Sequence, residues 1–292
     1  MTDFDSIVQQ IQLTTGHAFL DYSQTSIGGG INAAYQLKTP THSYFVKLNT
    51  PQRATMFEAE AQGLADLAAT NCIRVPEVIC YGKTATHSYL VLEYIACQHF
   101  DDHSGTLLGE KLAQLHQIPQ PYFGWHCDNT IGSTPQYNPR EHDWFTFWQQ
   151  HRLRQQLTFA KQNGYGQQLQ DKGNQLIDNL SVFFSAYSPT PALLHGDLWS
   201  GNAAVDAQGN PIIYDPACYY GDRETDIAMT ELFGGFTQSF YAAYQANYPL
   251  DPAYQTRKTI YNLYHILNHV NLFGGSYLGQ ASDMIDQLLA ET

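Results

Sequence analysis

The segment LLHGDLWSGNAA, residues 193–204, sets an Asp directly after His-Gly and an Asn five positions beyond that Asp. No helix, strand or turn preference asks for this order. It is the Asp-to-Asn offset of the catalytic-loop pattern H-R-D-x-x-x-x-N, in which the Asp takes the proton of an acceptor hydroxyl and the Asn holds a metal ion. Phosphoryl transfer to an alcohol is the chemistry such a spacing serves, because the protein then works by positioning and charge stabilisation, with little covalent chemistry of its own. Asp197 is therefore the candidate base and Asn202 a candidate metal ligand. Asp215 ends the apolar run PIIYD and is suited to be a second, carboxylate ligand for Mg²⁺. Taken alone, an Asp at that place would be a turn or cap residue.

Phosphates also need a cation and a close backbone approach. Lys47 lies in YFVKLN, an apolar strand where a charge is costly unless a partner neutralises it. Glu60, on the helix expected to cross the sheet, is the partner; Glu58, two residues away, points to another side of that helix. The triplet Gly28-Gly29-Gly30 falls between two strands, where the missing side chains let the backbone turn and approach an anion. By itself such a triplet is a hairpin turn. It is the order of glycines, Lys, Asp, Asn and Asp along one chain that points to a phosphotransferase.

Around these residues the sequence predicts two kinds of element. Residues 4–16 read as a short amphipathic helix, and residues 22–49 as a three-stranded antiparallel meander with turns at GGG and TPTH. Pro51 opens a helix over about 51–70, with Phe57, Leu64, Leu67 and Ala68 at helical spacing. PEVICYG and SYLVLEYI give two more strands. From Ser104 the period becomes helical, in 105–116, near 141–162 and 166–187, and from Asp222 to the end. Only ALL, AAVD and PIIYD, with a turn at Gln208-Gly209-Asn210, interrupt it. The expected fold is thus α+β: a β-rich lobe over residues 1–95 and a helical lobe over 96–292, joined by a connector at about 96–103. His116 is read as a helix-end or core histidine, and Trp144, Phe145, Phe147 and Trp148 as mostly core, with room for one of these rings to border the substrate cleft. His126, Cys127 and Asp128 are adjacent and cannot easily converge on one metal.

Composition excludes other classes. The 292 residues carry 14 Lys and Arg against 27 Asp and Glu, a formal net charge of −13, with no basic run, which argues against nucleic-acid and anionic-membrane partners. The apolar stretches are too short to span a bilayer, and MTDFDSIVQQ has acids where a signal peptide has Lys or Arg. Five cysteines without a C-x-x-C pair fit reduced thiols. A soluble cytoplasmic protein is expected.

The chain resembles the fructosamine-3-kinase, or ketoamine kinase, family, relatives of aminoglycoside and choline kinases. The resemblance spans nearly the whole sequence and rests on GGGINAAY, YFVKLN, FEAEAQGL, FGWHCDNTIGSTPQYN, LLHGDLWSGN and YDPACYYGDRETDIAM, with Trp199 and Gly221-Asp222-Arg223-Glu224 as its discriminating marks. It implies a protein-kinase-like two-lobe fold with a small five-stranded N-lobe bearing one helix, ATP between the lobes, and transfer of the γ-phosphate to the 3-hydroxyl of a ketoamine, free or borne on a glycated protein. The product would then fall apart and release the amine, a deglycation repair. By the same resemblance Asp197 is the base, Asn202 and Asp215 the Mg²⁺ ligands, and Lys47 and Glu60 the pair that positions phosphate. Glu93, Tyr94 and Ile95 correspond to the adenine-contacting hinge, and Trp199 would lie under the sugar. Several members of that family carry a Cys in the glycine loop; TSIGGGINAAY has none, so redox control through that loop is not implied. Two rival readings stand beside this one: a kinase of another small amine such as an aminoglycoside or choline, and a catalytically inactive nucleotide-binding protein of the same fold.

Overall fold

The computed structural model describes residues 3–19 and 21–292. Its contact pattern divides the chain into two units, the first Met1–His99 with Ala204–Pro216 and the second Phe100–Ala203 with Ala217–Thr292.

The first unit is built on period-two alternation. Strands β1 (Ser23–Gly28), β2 (Ala33–Lys38) and β3 (Ser43–Asn49) form the meander, and β4 (Val78–Lys83) and β5 (Ser88–Glu93) complete an antiparallel sheet in the order β1-β2-β3-β5-β4. Tyr44, Val46 and Leu48 of β3, with Tyr89 and Val91 of β5, pack on Ile7, Val8 and Ile11 of helix α1 (Asp3–Thr15). The opposite face carries Leu90 and Leu92, which pack on Met56, Phe57, Ala61 and Leu64 of helix α2 (Ala54–Ala69). Burying Phe57 completely supplies about 1.5–3 kcal/mol. One helix was expected to lie across this sheet; α1 covers the second face, because Tyr44, Val46 and Leu48 of β3 and Tyr89 and Val91 of β5, which share that face, are all apolar. Lys47 pairs with Leu90 across the β3–β5 ladder and so shares the α2 face.

The hairpin of β9 (Ala203–Val205) and β10 (Pro211–Ile213) was expected in the helical lobe but falls mostly in the first unit. The reasons are polar. Val205 exchanges backbone hydrogen bonds with Gln98, and the Ile213 N–H donates to the Arg74 carbonyl. The Arg74 guanidinium bridges Asp206 and Glu93. Burial would raise the Asp206 pKa, but N–H donors from Asn210 and Gln208, with Arg74, lower it to about 2.

The second unit is mainly helical. Helix α3 (Asp102–His116) opens with a reciprocal Asp101–Ser104 capping box. A small hairpin of β6 (Asn129–Ile131) and β7 (Thr134–Gln136), absent from the sequence expectation, follows. Helix α4 (Trp144–Trp148) runs through a π turn (Gln149–Leu153) into α5 (Arg154–Gln162), and α6 (Gln167–Asn179) comes next. Strand β8 (Ala192–Leu194) pairs with β11 (Tyr219–Gly221), and helices α7 (Glu224–Leu232), α8 (Gln238–Asn247), α9 (Tyr254–Phe273) and α10 (Leu278–Leu289) close the chain. Trp144, Phe147 and Trp148 are core, as expected, and Phe145 is partly buried. Among the described residues no helix is long and apolar enough to cross a membrane.

Because Asp206 is held below its ordinary 3.8 in the folded protein, the stability it contributes is present above about pH 4 and is lost as the pH falls toward about 2. Asp206→Asn is therefore expected to melt below the parent at pH 7 and to narrow that gap progressively as the pH falls from about 4 toward about 2. Thermal melts of both proteins across that range check it; a gap that does not change with pH would reject the assignment.

Candidate active site

In the first unit three charged side chains converge. The Lys47 Nζ donates to Glu60 Oε1 and to Asp215 Oδ1, each at 2.6 Å. Lys47 and Glu60 are buried, whereas the Asp215 side chain is 52% exposed. Burial alone would pull the ammonium toward neutrality, but Asp215 and Glu60 outweigh it and hold the Lys47 pKa above its ordinary value. Burial raises the pKa of Glu60, Lys47 offsets part of this, and Asp215 adds to the rise, leaving it at about 7. Glu58 is exposed, so the choice between the two acids made from helix spacing is the one the packing makes. Asp215 has φ 61°, the left-handed region that Asp enters more readily than most residues. Nothing in PIIYD announces that conformation.

The glycine loop belongs to the same unit. Gly28 and Gly29 have φ of 100° and 136°, and a Cβ on Gly29 would lie 1.9 Å from the Asn32 carbonyl oxygen. Only glycine fits there. Asn49, two residues past Lys47, donates from Nδ2 to Asn32 Oδ1 at 2.7 Å and to the Ile31 carbonyl at 3.3 Å. The exit of the loop is thus tied to the strand that carries Lys47, by a residue that sequence reasoning passed over. At the expected hinge, the Glu93 carboxylate is engaged by Arg74 and by the Glu77 N–H, and the Glu93 N–H donates to the Glu77 carbonyl. Tyr94 and Ile95 follow it, half-buried.

In the second unit the loop 195–202 folds back on itself. Asn202 Nδ2 donates to the Asp197 carbonyl at 2.9 Å and to Asp197 Oδ2 at 3.3 Å, while the Trp199 N–H donates to the Asp197 carbonyl. With its amide nitrogen so used, the atom Asn202 offers to a metal is Oδ1, a hard oxygen. The loop is anchored by Asp226, whose two oxygens accept the N–H groups of His195 and Gly196 at 2.8 and 2.9 Å. His116, buried at the end of α3, lies 3.3 Å from Asp226 and 2.9 Å from the Tyr244 hydroxyl. Burial would raise the Asp226 pKa, but His116, His195 and the Gly196 N–H outweigh it and the carboxylate stays ionised below its usual range. Asp226 is the positioning residue that the sequence reading missed.

The discriminating segment Gly221-Asp222-Arg223-Glu224 proves to be scaffold. Asp222 accepts from Tyr261 at 2.5 Å and Tyr187 at 3.0 Å, Glu224 pairs with Arg257 at 2.8 Å, and the Arg223 guanidinium stacks over Tyr248. Likewise, in FGWHCDNTIGSTPQYN, Asn129 and Gln136 donate to the carbonyls of Cys218 and Ala217, and Asp128 accepts the Asn138 N–H. Trp199 is different: its side chain is 40% exposed and lies against Gly201, where a Cβ would be 2.3 Å from the indole.

This geometry can be set beside known proteins. The fructosamine kinase family model matches residues 3–291. A Synechocystis protein named a probable ketoamine kinase is 49% identical, over 98% of this chain and 97% of its own length. A crystal structure from Haemophilus somnus assigned as a fructosamine-3-kinase superposes with a TM-score of 0.91 at 33% identity, covering 98% of this chain and 97% of that one. A choline kinase from Streptococcus pneumoniae, at a TM-score of 0.69 and 16% identity over the full length of both chains, shares the fold alone.

The anchored loop also depends on Gly196, which has φ 81° and would place a Cβ 2.1 Å from the Ala217 carbonyl oxygen. Gly196→Ala is expected to lose at least about 2 kcal/mol of stability, from left-handed strain plus the clash. Denaturant unfolding of the purified variant checks this; a loss below about 0.5 kcal/mol would mean that the loop readily relaxes.

Proposed function

Because the chain belongs to the fructosamine kinase family, we propose that it transfers the γ-phosphate of ATP to the 3-hydroxyl of a ketoamine, the adduct of a sugar and an amine. The observation that carries this reading is the pairing of Asp197 with Asn202 on a loop whose backbone N–H groups are fixed by Asp226. Asp197 takes the proton of the acceptor hydroxyl as that oxygen attacks the γ-phosphorus. The bond from the γ-phosphorus to the bridging oxygen breaks, and ADP leaves.

The other residues position the reactants. Lys47, kept charged by its two acids, directs positive charge at phosphate oxygens, and the glycine loop Gly28-Gly29-Gly30 supplies backbone N–H groups. Glu60 holds the ammonium in place; Glu93, Tyr94 and Ile95 carry the hinge role toward adenine. Mg²⁺ fits the donor set, since the Asp215 carboxylate and the Asn202 amide oxygen are the hard oxygens it takes; when bound it neutralises phosphate charge. The Trp199 indole offers a flat apolar face to the sugar. The five cysteines stand as free thiols, as a reducing compartment such as the cytoplasm keeps them.

Purified protein given ATP with fructosamines, ribulosamines, an aminoglycoside or choline is expected to consume ATP with the ketoamines; turnover with only the last two overturns the reading. Asp197→Asn is expected to retain its fold and ATP binding while kcat falls by about two to four orders of magnitude, because the amide keeps the shape but cannot accept the proton. Activity within a few-fold of the parent would remove Asp197 from the role of base. Trp199→Ala is expected to raise the ketoamine KM well beyond any change in the ATP KM. Equal changes in both constants would show that the indole serves only to pack the loop.

A further inference from the structure

Arg74 lies in the connection between α2 and β4, away from every group assigned a role in the reaction, yet it joins the two elements that must meet the two ends of a nucleotide. Its carbonyl accepts the Ile213 N–H at 3.1 Å, two residues before Asp215, and its backbone forms a parallel bridge with Ile212. Its guanidinium divides between two carboxylates: Nη1 donates to Asp206 Oδ2 and Nη2 to Glu93 Oε1. Asp206 stands at the turn between β9 and β10, the hairpin that leads to Asp215, and Glu93 ends β5 immediately before Tyr94 and Ile95. All these residues belong to the first unit.

Each carboxylate is also held from its other side. Asp206 Oδ1 accepts the N–H groups of Gln208 and Asn210, each at 2.9 Å, which closes the hairpin turn. Glu93 Oε2 accepts the Glu77 N–H at 3.3 Å. Between acceptors fixed in this way, two nitrogens of one planar guanidinium set the separation rigidly, which an ammonium on a flexible stem does not. Folding stability alone is a poor account of the arrangement: the Arg74 and Glu93 side chains are 37% and 34% exposed, and an ion pair so open to water contributes little. A bound nucleotide gives the rigidity a use. Its adenine and its metal-bound phosphates are a fixed number of covalent bonds apart, so hinge and Asp215 must stand at a matching distance for both ends to be met at once.

We propose that Arg74 is a positioning residue for Mg·ATP: by clamping Glu93 to Asp206 it sets the distance between the backbone that meets adenine and the carboxylate that meets the metal. This rests on the kinase reading of the site and adds to it the residue that fits the two ends of the nucleotide site to each other.

The test measures binding of adenosine, which reaches only the hinge, and of a non-hydrolysable ATP analogue with Mg²⁺, which reaches both ends, to the intact chain by calorimetry. Arg74→Gln keeps the backbone bonds and most of the stem but loses the charged fork; the analogue is expected to bind about tenfold more weakly and adenosine within about twofold of the parent. The Mg·ATP KM should rise about tenfold with the ketoamine KM within about twofold. Arg74→Lys, which keeps the charge without the fork, should lose nearly as much as Arg74→Gln. In Arg74→Gln with Asp206→Asn the loss should be no larger than in Arg74→Gln alone, because one clamp is broken in both. Lys172→Gln, which breaks the ion pair with Asp286 in the second unit, should keep the parent affinities. Melting temperatures confirm that each protein is folded at the assay temperature, and Arg74→Lys carries the comparison where Arg74→Gln is not. Equal losses for the two ligands, no loss for either, or full rescue by lysine overturns the clamp and leaves the kinase reading standing. A parent that binds neither ligand overturns both.

Discussion

A buried ammonium needs a counter-charge, and Lys47 has two. That constraint organises the first unit. β3 must place position 47 on the α2 face, α2 must bring Glu60 rather than Glu58 to it, and the returning hairpin must deliver Asp215 in a left-handed conformation. Removing Glu60 would take away the buried counter-charge and leave the ammonium with the half-exposed Asp215 alone. The two acids are not equivalent. Glu60 is buried and carries the desolvation penalty, whereas Asp215 is half open to solvent.

The second unit repeats the logic with a carboxylate. Asp226 is buried within α7 and stays ionised because backbone N–H groups of loop 195–202 and His116 surround it. A buried carboxylate with such partners fixes the loop far more firmly than a loop's own turns could, since any departure of His195 or Gly196 leaves charge unpaired. The buried groups around it, Asp222 with Tyr261 and Tyr187, and Glu224 with Arg257, seat α7 itself. The most distinctive segment of the sequence is therefore support for chemistry carried by its neighbours. Distinctiveness of a motif and contact with a reactant are separate properties.

What the sequence alone determined is local or periodic. The alternation of β3 and β5, the helical spacing of α2, the Asp197-to-Asn202 offset and the residues of the glycine loop follow from covalent order and from which side chains water rejects. Lys47 with Glu60 was legible because a charge in an apolar strand demands a partner, and one acid stood at the right helical position. The assignment of the β9–β10 hairpin to the first unit was not legible: it depends on Arg74 meeting Asp206 and on Gln98 meeting Val205, pairs separated by more than a hundred positions. Asn49 and Asp226 were hidden for the same reason. Each consists of ordinary residues that acquire a role only when distant segments are packed together, and no spacing along the chain encodes which carbonyl, N–H or ring face a side chain will meet. Tertiary structure decided those partners, because a buried polar group accepts whichever complement the packed backbone brings within hydrogen-bonding distance.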